Sequence, residues 1–324
     1  MTVQYSPKAL AKVLTTRQKF TIVSHYNPDP DAYGSSCGLA LALKALGKEV
    51  EVINQNGIEE RLSWIPGVNL VKLKPSSIID TLIICDCGAF DRIGDDLKLQ
   101  LGSANLTIDI DHHSQNALFG DANLVRESAS STSELIFEII EELPKGAWTK
   151  DAATALLAGI YGDTGSFRHT NVTPKVFEIA AKLSHHGADI RLISQSLFSS
   201  YSMPSVLLQA EALSQLKSFS DGKIVIIEVS DDLLKKYNAS TEDADGLAEK
   251  ARNISGVLIS VAARKDGDIW RVSLRSKDPR YDVSEVARSF GGGGHKVASA
   301  FRSRQIEWSA VESQLIEKLK NLVS

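Results

Sequence analysis

Three metal-ligating side chains lie close together near the start of the sequence. The segment SHYNPDPD (24–31) places His25, Asp29 and Asp31 within seven positions, and a proline precedes each aspartate. Proline fixes its own φ and favours an extended conformation of the residue before it, so Asn27 and Asp29 are expected to be extended. Carboxylates this close repel each other unless cations neutralise them. The segment therefore predicts a stiff loop in which the two aspartates serve two adjacent metal ions.

Further acids and histidines stand at the ends of apolar runs later in the chain: Asp86, Asp111, His112, His113 and Asp163. In an open parallel sheet, ligands gather outside the carboxyl ends of the strands, so these side chains are expected to converge with His25 in one cleft. The donors are nitrogen and oxygen with no thiolate, which favours manganese or magnesium over structural zinc, and the imidazoles favour manganese. Each motif alone could be a cap or a turn. Together they indicate two ions that polarise a phosphoryl group and activate a water.

The elements that must position these groups alternate along the first half of the chain. Strands are predicted at 20–25, 49–55, 80–87 and 105–111, and helices at 35–46, 131–143 and 149–165. Nearly continuous apolar, β-branched strands are typical of a parallel sheet that is buried on both faces. The alternation of strand and helix predicts an α/β domain with right-handed crossovers.

The pattern changes after about residue 190. Residues 190–218 are predicted to be mostly helical, with an interruption at Pro204. Strands are predicted at 222–230, 257–265 and 268–276. The Asp-Gly pair at 266–267 lies between the last two strands and predicts a hairpin. We therefore divide the chain into a metal-binding catalytic domain (1–189), a helical linker (190–218) and a smaller α/β domain (219–324).

Composition limits the class of partner. The chain has 324 residues, more than one hydrophobic core usually holds, and a net charge of -4. That charge argues against nonspecific binding to long nucleic acid but allows a small basic pocket for a phosphate-bearing ligand. The three cysteines form no disulfide framework, and no signal peptide or membrane-length apolar run is present. A cytoplasmic protein that binds no membrane is expected.

The motifs together resemble the DHH phosphoesterase superfamily. They are HYNPDPDAYGS (25–35), CDCG (85–88), DHH (111–113), GDTGSFRH (162–169) and, in the C-terminal part, GGGGHKVAS (291–299). The last resembles the glycine-rich signature of the DHH-associated domain, and the layout is similar to the nanoRNase and oligoribonuclease type. Some members of that type also dephosphorylate 3′-phosphoadenosine 5′-phosphate. The resemblance implies a parallel-sheet DHH domain, a smaller α/β substrate-binding domain after it, and a cleft between them.

The resemblance also assigns roles to individual residues. It implies two divalent ions, Mn²⁺ with Mg²⁺ as the alternative, in two ligand sets: His25, Asp29 and Asp86, and Asp31, Asp86, His112 and Asp163. Asp86 would bridge the two ions. Asp111 would orient an imidazole, as carboxylates do beside metal-bound histidine. His113 would face the scissile phosphate as a hydrogen-bond donor or as the acid for the leaving group.

The C-terminal glycine-rich run is expected to bind the far end of the substrate. Residues 291–294 forgo helix and strand stability, so Gly292, Gly293 and Gly294 are expected to bring backbone N–H groups close to a phosphate or base, with His295 as a further donor. The alternative is a flexible turn before a helix-like segment. Arginines are candidate phosphate ligands, and they are Arg275, Arg252 and Arg168. The resemblance has one visible departure, because Ala300 stands where the family signature usually has glycine.

The leading hypothesis is a manganese-dependent phosphoesterase that hydrolyses short single-stranded RNA to mononucleotides and also acts on 3′-phosphoadenosine 5′-phosphate. No long duplex is expected as a partner, and a homodimer is left open. Within the enzyme class, the alternative is a phosphodiesterase for cyclic di-AMP or its linear product. A RecJ-type exonuclease and a family II pyrophosphatase rank lower, because the first needs more domains and the second lacks the glycine-rich domain. From a different class, the alternative is a nucleotide-binding regulatory module without turnover, which the complete ligand set disfavours.

Overall fold

The chain divides into two units, Met1–Ser199 and Ser200–Ser324. The structure is a computed structural model that describes residues 3–76, 79–101, 104–198, 201–304 and 307–323. The division falls inside the segment 190–218 that the sequence predicts as a helical linker. The two domain boundaries drawn from the sequence, after residues 189 and 218, stay predictions, and each unit is described by itself.

The first unit is built on a seven-stranded sheet. Its strands are β1 (Val3–Gln4), β2 (Lys19–Ser24), β3 (Glu49–Ile53), β4 (Val71–Lys72), β5 (Thr81–Cys85), β6 (Leu106–Asp111) and β7 (Ala122–Val125). They lie in the order β1-β7-β6-β5-β2-β3-β4, and every neighbouring pair is parallel. The predicted parallel sheet is confirmed.

Helices cover both faces of this sheet. They are α1 (Pro7–Thr16), α2 (Pro30–Ala45), α3 (Asp95–Leu101), α4 (Thr132–Glu141), α5 (Lys150–Asp163), α6 (Pro174–His185) and α7 (Ile190–Phe198). Successive strand residues enter different cores: Ile22 packs in the larger cluster with α1, α2, α4 and α5, whereas Val23 packs with α3 on the other face. This double burial explains why the strands are apolar at nearly every position.

The strand order places the chemically useful residues at one edge of the sheet. The three central strands are adjacent, and their registers pair Ser24 with Cys85 and Cys85 with Ile110. The residue that follows each of these positions is His25, Asp86 or Asp111. Because the strands are parallel, these three side chains emerge together at the carboxyl ends, as in other open α/β sheets.

The loop after β2 differs from the sequence prediction in two ways. The helix predicted from residue 35 begins at Pro30, with Asp29 as its N-cap, so Asp31 lies in the first helical turn. Proline is well suited to this first position because its missing N–H would be unpaired there anyway. Asp29 is extended as predicted, with φ -110°, but Asn27 has φ 51°. Asparagine tolerates the left-handed region, and the Asn27 N–H donates to Asn56 Oδ1 at 2.8 Å.

Helices α2 and α5 cross so closely that only glycine fits at the contact. A Cβ at Gly34 would lie 2.6 Å from the carbonyl oxygen of Ala155. A Cβ at Gly159 would lie 2.1 Å from Ser133 Oγ and 2.6 Å from Asp31 Oδ1. The crossing therefore fixes the depth at which Asp31 sits between α2, α4 and α5.

The second unit contains a six-stranded mixed sheet. Its strands are β8 (Lys217–Phe219), β9 (Ile224–Val229), β10 (Ile259–Asp266), β11 (Ile269–Ser276), β12 (Gly293–His295) and β13 (Ala298–Ser303), in the order β12-β13-β11-β10-β9-β8. Only the β9–β10 pair is parallel. Its helices are α8 (Met203–Ser214), α9 (Asp231–Tyr237), α10 (Leu247–Arg252), α11 (Val283–Ser289) and α12 (Trp308–Val323). The predicted smaller α/β unit is confirmed.

Three local predictions in this unit have clear outcomes. The hairpin around 266–267 is confirmed, because β10 and β11 pair antiparallel across it. The interruption predicted at Pro204 is slightly misplaced, because Pro204 lies in the first turn of α8. The helix-like interpretation of the segment after the glycines is wrong. Residues 298–303 form β13, which lies between β12 and β11 and alternates buried and exposed positions from Ser299 to Arg302.

The longest helices in the described part of the chain, α2 and α12, have 16 residues each. In the ranges that the structure describes, none of the helices combines the length and apolarity that crossing a membrane requires.

Replacing Gly159 by alanine is expected to destabilise the first unit. The new methyl group would overlap Ser133 Oγ and press on Asp31, an overpacking that costs about 1–3 kcal/mol. Because the overlap with Ser133 Oγ is deep, we expect a cost at the upper end of this range, above the roughly 1 kcal/mol that alanine adds as a better helix former. Urea denaturation should therefore show a lower free energy of unfolding for Gly159→Ala. Gly146→Ala is the control, because its Cβ would come no closer than 3.8 Å to Leu46. Equal stability of the two variants would contradict the close crossing.

Candidate metal centre

Asp86 lies at the centre of a group of imidazoles. His25 Nε2 is 3.5 Å from its Oδ2, whereas His112 Nε2 and His113 Nδ1 are 3.6 and 3.7 Å from its Oδ1. The Thr132 hydroxyl donates a hydrogen bond to the same Oδ1 at 3.0 Å. Asp86 is 1% exposed and has φ 58°, a left-handed conformation that is uncommon outside glycine. The backbone turn aims the carboxylate so that both of its oxygens meet partners.

Asp29 divides its carboxylate between a structural and a chemical contact. Oδ1 accepts hydrogen bonds from the N–H groups of Asp31 and Ala32 at 3.0 and 2.9 Å, which caps α2. Oδ2 lies 3.8 Å from His25 Nε2. His25, Asp29 and Asp86 together form one group whose ligand atoms lie within 4.8 Å of one another. The His25 Nδ1 lies 2.9 Å from the Tyr26 carbonyl oxygen and donates to it, so Nε2 is the atom that faces the acids.

A second group consists of Asp31, His112 and Asp163, and its ligand atoms also lie within 4.8 Å of one another. His112 Nε2 is 2.9 Å from Asp163 Oδ2, and Asp163 is the last residue of α5. Asp31 is fully buried and accepts from the N–H groups of Thr132 and Ser133 at 2.7 and 3.0 Å. The two groups meet at Asp86 and His112, whose nearest atoms are 3.6 Å apart.

His113 is held by a buried acid. Its Nδ1 lies 2.7 Å from Asp111 Oδ1, and that oxygen also accepts from the His112 N–H at 2.8 Å. Asn116 donates to the other Asp111 oxygen at 2.8 Å. Asp86, His112 and His113 form a third group with the spacing of a metal site. The geometry thus allows His113 a role as a ligand as well as the role as an acid that the family resemblance implies.

The donor set fits divalent cations. Two ligands at right angles around an ion with bonds of about 2.1 Å are roughly 3 Å apart, and wider angles separate them further. The 3.5–3.8 Å separations of His25 Nε2 from the oxygens of Asp86 and Asp29 are in this range and are too long for strong hydrogen bonds. Every donor is nitrogen or oxygen. Several buried carboxylates also need positive charge beyond what neutral imidazoles supply.

Without a metal, the histidines take up protons to compensate the acids. Burial lowers the pKa of His25, but Asp86 and Asp29 outweigh it and raise the pKa to about 9. Burial also opposes protonation of His112, and its hydrogen bond to Asp163 and the charge of Asp86 raise its pKa to about 10. Protonated imidazoles therefore occupy the positions where cations would compete with them.

The pKa values of the buried aspartates shift in opposite directions. Burial, together with the charges of Asp86 and Asp163, raises the pKa of Asp31 well above its usual value. Burial likewise raises the pKa of Asp163 to about 6. Burial acts in the same sense on Asp86, but its hydrogen bond to His25 and the neighbouring imidazoles hold the Asp86 pKa below its usual value. Carboxylates whose pKa values are pushed apart in this way are typical of functional sites.

The substrate-binding candidates of the second unit lie on neighbouring strands. The registers pair Arg275 of β11 with Ala298 of β13, and Ala298 with His295 of β12, so Arg275 and His295 lie in one row on the same face of the sheet. The Arg275 Nε pairs with Glu249 of α10, and its Nη1 donates to the Leu274 carbonyl at 2.9 Å. Arg252 ends the same helix α10.

The glycine-rich run forms the edge strand of a hairpin. Gly293 and Gly294 lie in β12, opposite Ala300 and Ser299 of β13. A Cβ at Gly292 would lie 2.2 Å from the Ala300 carbonyl oxygen, so this glycine is required by close backbone packing.

In the first unit, Arg168 is exposed and donates to the Gly165 carbonyl at 2.7 Å. Whether these residues bind substrate stays a prediction.

Sequence reasoning missed the polar groups that hold the candidate ligands. Thr132, Ser133 and Asn116 bond to Asp31, Asp86 or Asp111, yet none of them is a ligand type or part of a recognised motif. Ser131 caps the helix that contains two of these residues, because its Oγ accepts from the Glu134 N–H at 3.1 Å. A cap predicts where a helix begins, but not which distant carboxylate will lie against it.

The metal-free protein is expected to lose stability as pH rises from about 6.5 to about 10. The folded-state pKa values of His25 and His112 lie above the unfolded value of about 6.5, so in this window the folded state holds more protons than the unfolded state. The melting temperature in chelator should therefore fall across the window, and added Mn²⁺ should restore it most at high pH. His112→Gln is the control and should show a shallower fall. A flat or rising melting temperature in chelator would contradict this electrostatic account.

Comparison with known proteins identifies the family to which the chain is related. The DHH family N-terminal domain matches residues 19–160, and the DHHA1 domain matches residues 221–324. A protein of Thermus thermophilus named bifunctional oligoribonuclease and PAP phosphatase NrnA is 30% identical over 305 residues, covering 92% of this chain and 88% of that protein. A protein of Streptococcus mutans named probable bifunctional oligoribonuclease and PAP phosphatase NrnA is 32% identical over 304 residues, covering 92% of this chain and 93% of that protein.

A solved structure agrees with these sequence matches. An exopolyphosphatase-related protein from Bacteroides fragilis has a TM-score of 0.90 and 28% identity, covering 98% of this chain and 97% of that chain. The resemblance inferred from the five motifs is thereby confirmed. The chain belongs to the DHH family and carries the DHHA1 domain in its C-terminal part.

Proposed function

We propose that this protein is a divalent-metal-dependent phosphoesterase that hydrolyses short single-stranded RNA to mononucleotides and also dephosphorylates 3′-phosphoadenosine 5′-phosphate. The observation that carries the proposal is the convergence of two histidine and aspartate groups on the buried Asp86. The relatives from two bacteria whose names carry both activities support the choice of substrate. The net charge of -4 favours short substrates over a long duplex.

The proposed ligands form two sets that share Asp86. His25, Asp29 and Asp86 would hold one ion, and their ligand atoms lie within 4.8 Å of one another. Asp31, His112 and Asp163 would hold the other ion together with Asp86, whose Oδ1 lies 3.6 Å from His112 Nε2. Oxygen and imidazole donors favour Mn²⁺, with Mg²⁺ as the alternative. When bound, such ions would polarise the phosphoryl group and make a water more acidic, and therefore a better nucleophile.

His113 is proposed to supply the proton for the leaving group. Its Nδ1 is occupied by Asp111, which fixes the ring orientation. Burial lowers its pKa, but the hydrogen bond to Asp111 and the charge of Asp86 outweigh this and raise the His113 pKa. These contacts favour the protonated ring. In the proposed step, water attacks phosphorus and releases one proton to solvent, the bond from phosphorus to the leaving oxygen breaks, and the His113 proton passes to that oxygen.

The second unit is proposed to contribute anion-binding groups. Arg275 and His295 share one row of the sheet, and Arg252 lies at the end of the helix that carries Glu249. In the structure the guanidinium of Arg275 is paired with Glu249. A phosphate that binds Arg275 would have to compete with that carboxylate. Arg168 and the backbone around Gly292, Gly293 and Gly294 are further proposed contacts.

The first test is a turnover assay with Mn²⁺ on four substrates. We expect rapid loss of pApA and a five-nucleotide RNA, slower release of phosphate from 3′-phosphoadenosine 5′-phosphate, and little opening of cyclic di-AMP. Asp86→Ala should abolish turnover, because it removes the acid that is proposed as a ligand of both ions. Preferential opening of cyclic di-AMP would contradict the substrate assignment. Metal binding without turnover of any of the four would favour a regulatory nucleotide-binding module.

His113→Asn is expected to separate catalysis from metal binding. Losing a general acid typically costs about 10²- to 10⁴-fold in rate, so kcat should fall by that factor while the affinity for Mn²⁺ stays unchanged. Rapid-quench kinetics and calorimetry of Mn²⁺ binding give the two quantities. His185→Asn, an exposed histidine at the end of α6, is the matched control and should change neither. Loss of Mn²⁺ affinity in His113→Asn would show instead that His113 is a ligand.

A further inference from the structure

The N-terminal turn of α4 is unusually well fixed for a segment that contains no candidate ligand. Ser131 caps the helix through the Glu134 N–H, and the Ser130 N–H and hydroxyl donate to Glu134 Oε2 at 2.9 and 2.8 Å. This reciprocal bonding is a variant of the capping box, in which the glutamate reaches back to the residue before the cap. The turn therefore has a defined orientation before any metal binds.

This turn contacts two of the proposed ligands. The N–H groups of Thr132 and Ser133 donate to the two oxygens of Asp31, and the Thr132 hydroxyl donates to Asp86 Oδ1. These amides are among the first four of the helix, which have no partner inside it, and the positive end of the helix dipole favours the carboxylates. One residue, Thr132, thus bonds to both acids through different groups.

The same turn is linked to a third proposed ligand. The Asn171 amide donates to the carbonyl oxygens of Ser130 and Asp163, at 2.9 and 3.1 Å. The end of α5 and the start of α4 are therefore held at a fixed spacing by one side chain. The α4 turn thus bonds directly to Asp31 and Asp86 and is linked to Asp163 through Asn171.

The Thr132 hydroxyl differs from the other partners of Asp86. The partners His25, His112 and His113 are titratable and are themselves candidate ligands or catalytic groups. A hydroxyl carries no charge, and Thr132 is fully buried in the first turn of a helix. Its bond can therefore persist whether the imidazoles bind protons or metal ions, and it can fix the rotation of the Asp86 carboxylate.

We propose that Thr132 is a positioning residue of the metal centre: its hydroxyl sets the orientation of Asp86 while its N–H anchors Asp31. The inference rests on the proposed metal-dependent function and adds a residue that holds the ligands without touching the ions. Partners of this kind typically contribute about 10- to 100-fold to metal affinity. The hydroxyl contribution can be removed by substitution, whereas the N–H remains in every variant.

The test is calorimetric titration of the metal-stripped full chain with Mn²⁺ alone. Thr132→Val keeps the shape of the side chain and removes the hydroxyl, and it should weaken Mn²⁺ binding about 10- to 100-fold. Thr132→Ser keeps the hydroxyl and should bind Mn²⁺ as the wild-type protein does. If Thr132→Val does not fold, as judged by circular dichroism, Thr132→Ala removes the same hydroxyl with less bulk and replaces it in the comparison.

Thr81→Val is the matched control. Thr81 is also fully buried and also donates its hydroxyl to a carboxylate, that of Asp80 at 3.1 Å, at the opposite end of β5 from Asp86. It should leave Mn²⁺ affinity unchanged even if it lowers the melting temperature. Wild-type affinity in Thr132→Val, or an equal loss in Thr132→Ser or Thr81→Val, would overturn the inference alone. A wild-type protein that binds no Mn²⁺ would overturn the proposed function and this inference with it.

Discussion

The buried carboxylate of Asp86 is the constraint on which the site depends. It lies at the end of the central strand β5 with almost no exposure, and three imidazoles and one hydroxyl surround it. An isolated charge in this environment would be prohibitively costly, so its neighbours must supply compensating protons or cations. The acids and histidines that converge on Asp86 are thus explained by one electrostatic requirement.

The parallel sheet satisfies that requirement by placing three strand ends next to one another. Because β2, β5 and β6 are adjacent, the residues after their carboxyl ends emerge side by side. Helices supply the other candidate ligands: α2 carries Asp31, and α5 ends at Asp163. The first turn of α4 donates hydrogen bonds to Asp31. The close glycine crossing of α2 and α5 brings these three helix ends within reach of one another.

Much of this could be predicted from the sequence, because strand-end acids and histidines are visible as motifs and parallel strands gather them at one edge. The missing parts depend on tertiary contacts. The start of α2 at Pro30 is not evident from the sequence, because Gly34, Ser35 and Ser36 are also common in loops. The left-handed Asn27 is held by a hydrogen bond to Asn56, which no local pattern predicts. Thr132 bonds to residues 46 and 101 positions away in the chain, a separation that no local pattern encodes. The pairing of Arg275 with Glu249 is equally invisible to spacing.

The double role of the Asp29 carboxylate limits which substitutions the candidate metal centre can accept. One of its oxygens begins a helix, while the other faces His25. A glutamate there would extend the carboxylate by one methylene and move both contacts at once, and an alanine would remove a cap worth about 1 kcal/mol together with a candidate ligand. A substitution at Asp29 would therefore change the candidate metal centre and the start of α2 together. The candidate centre could instead be changed at Asp163 without loss of the fold. The Asp163 side chain does not cap α5, and its backbone carbonyl accepts a separate hydrogen bond from Asn171.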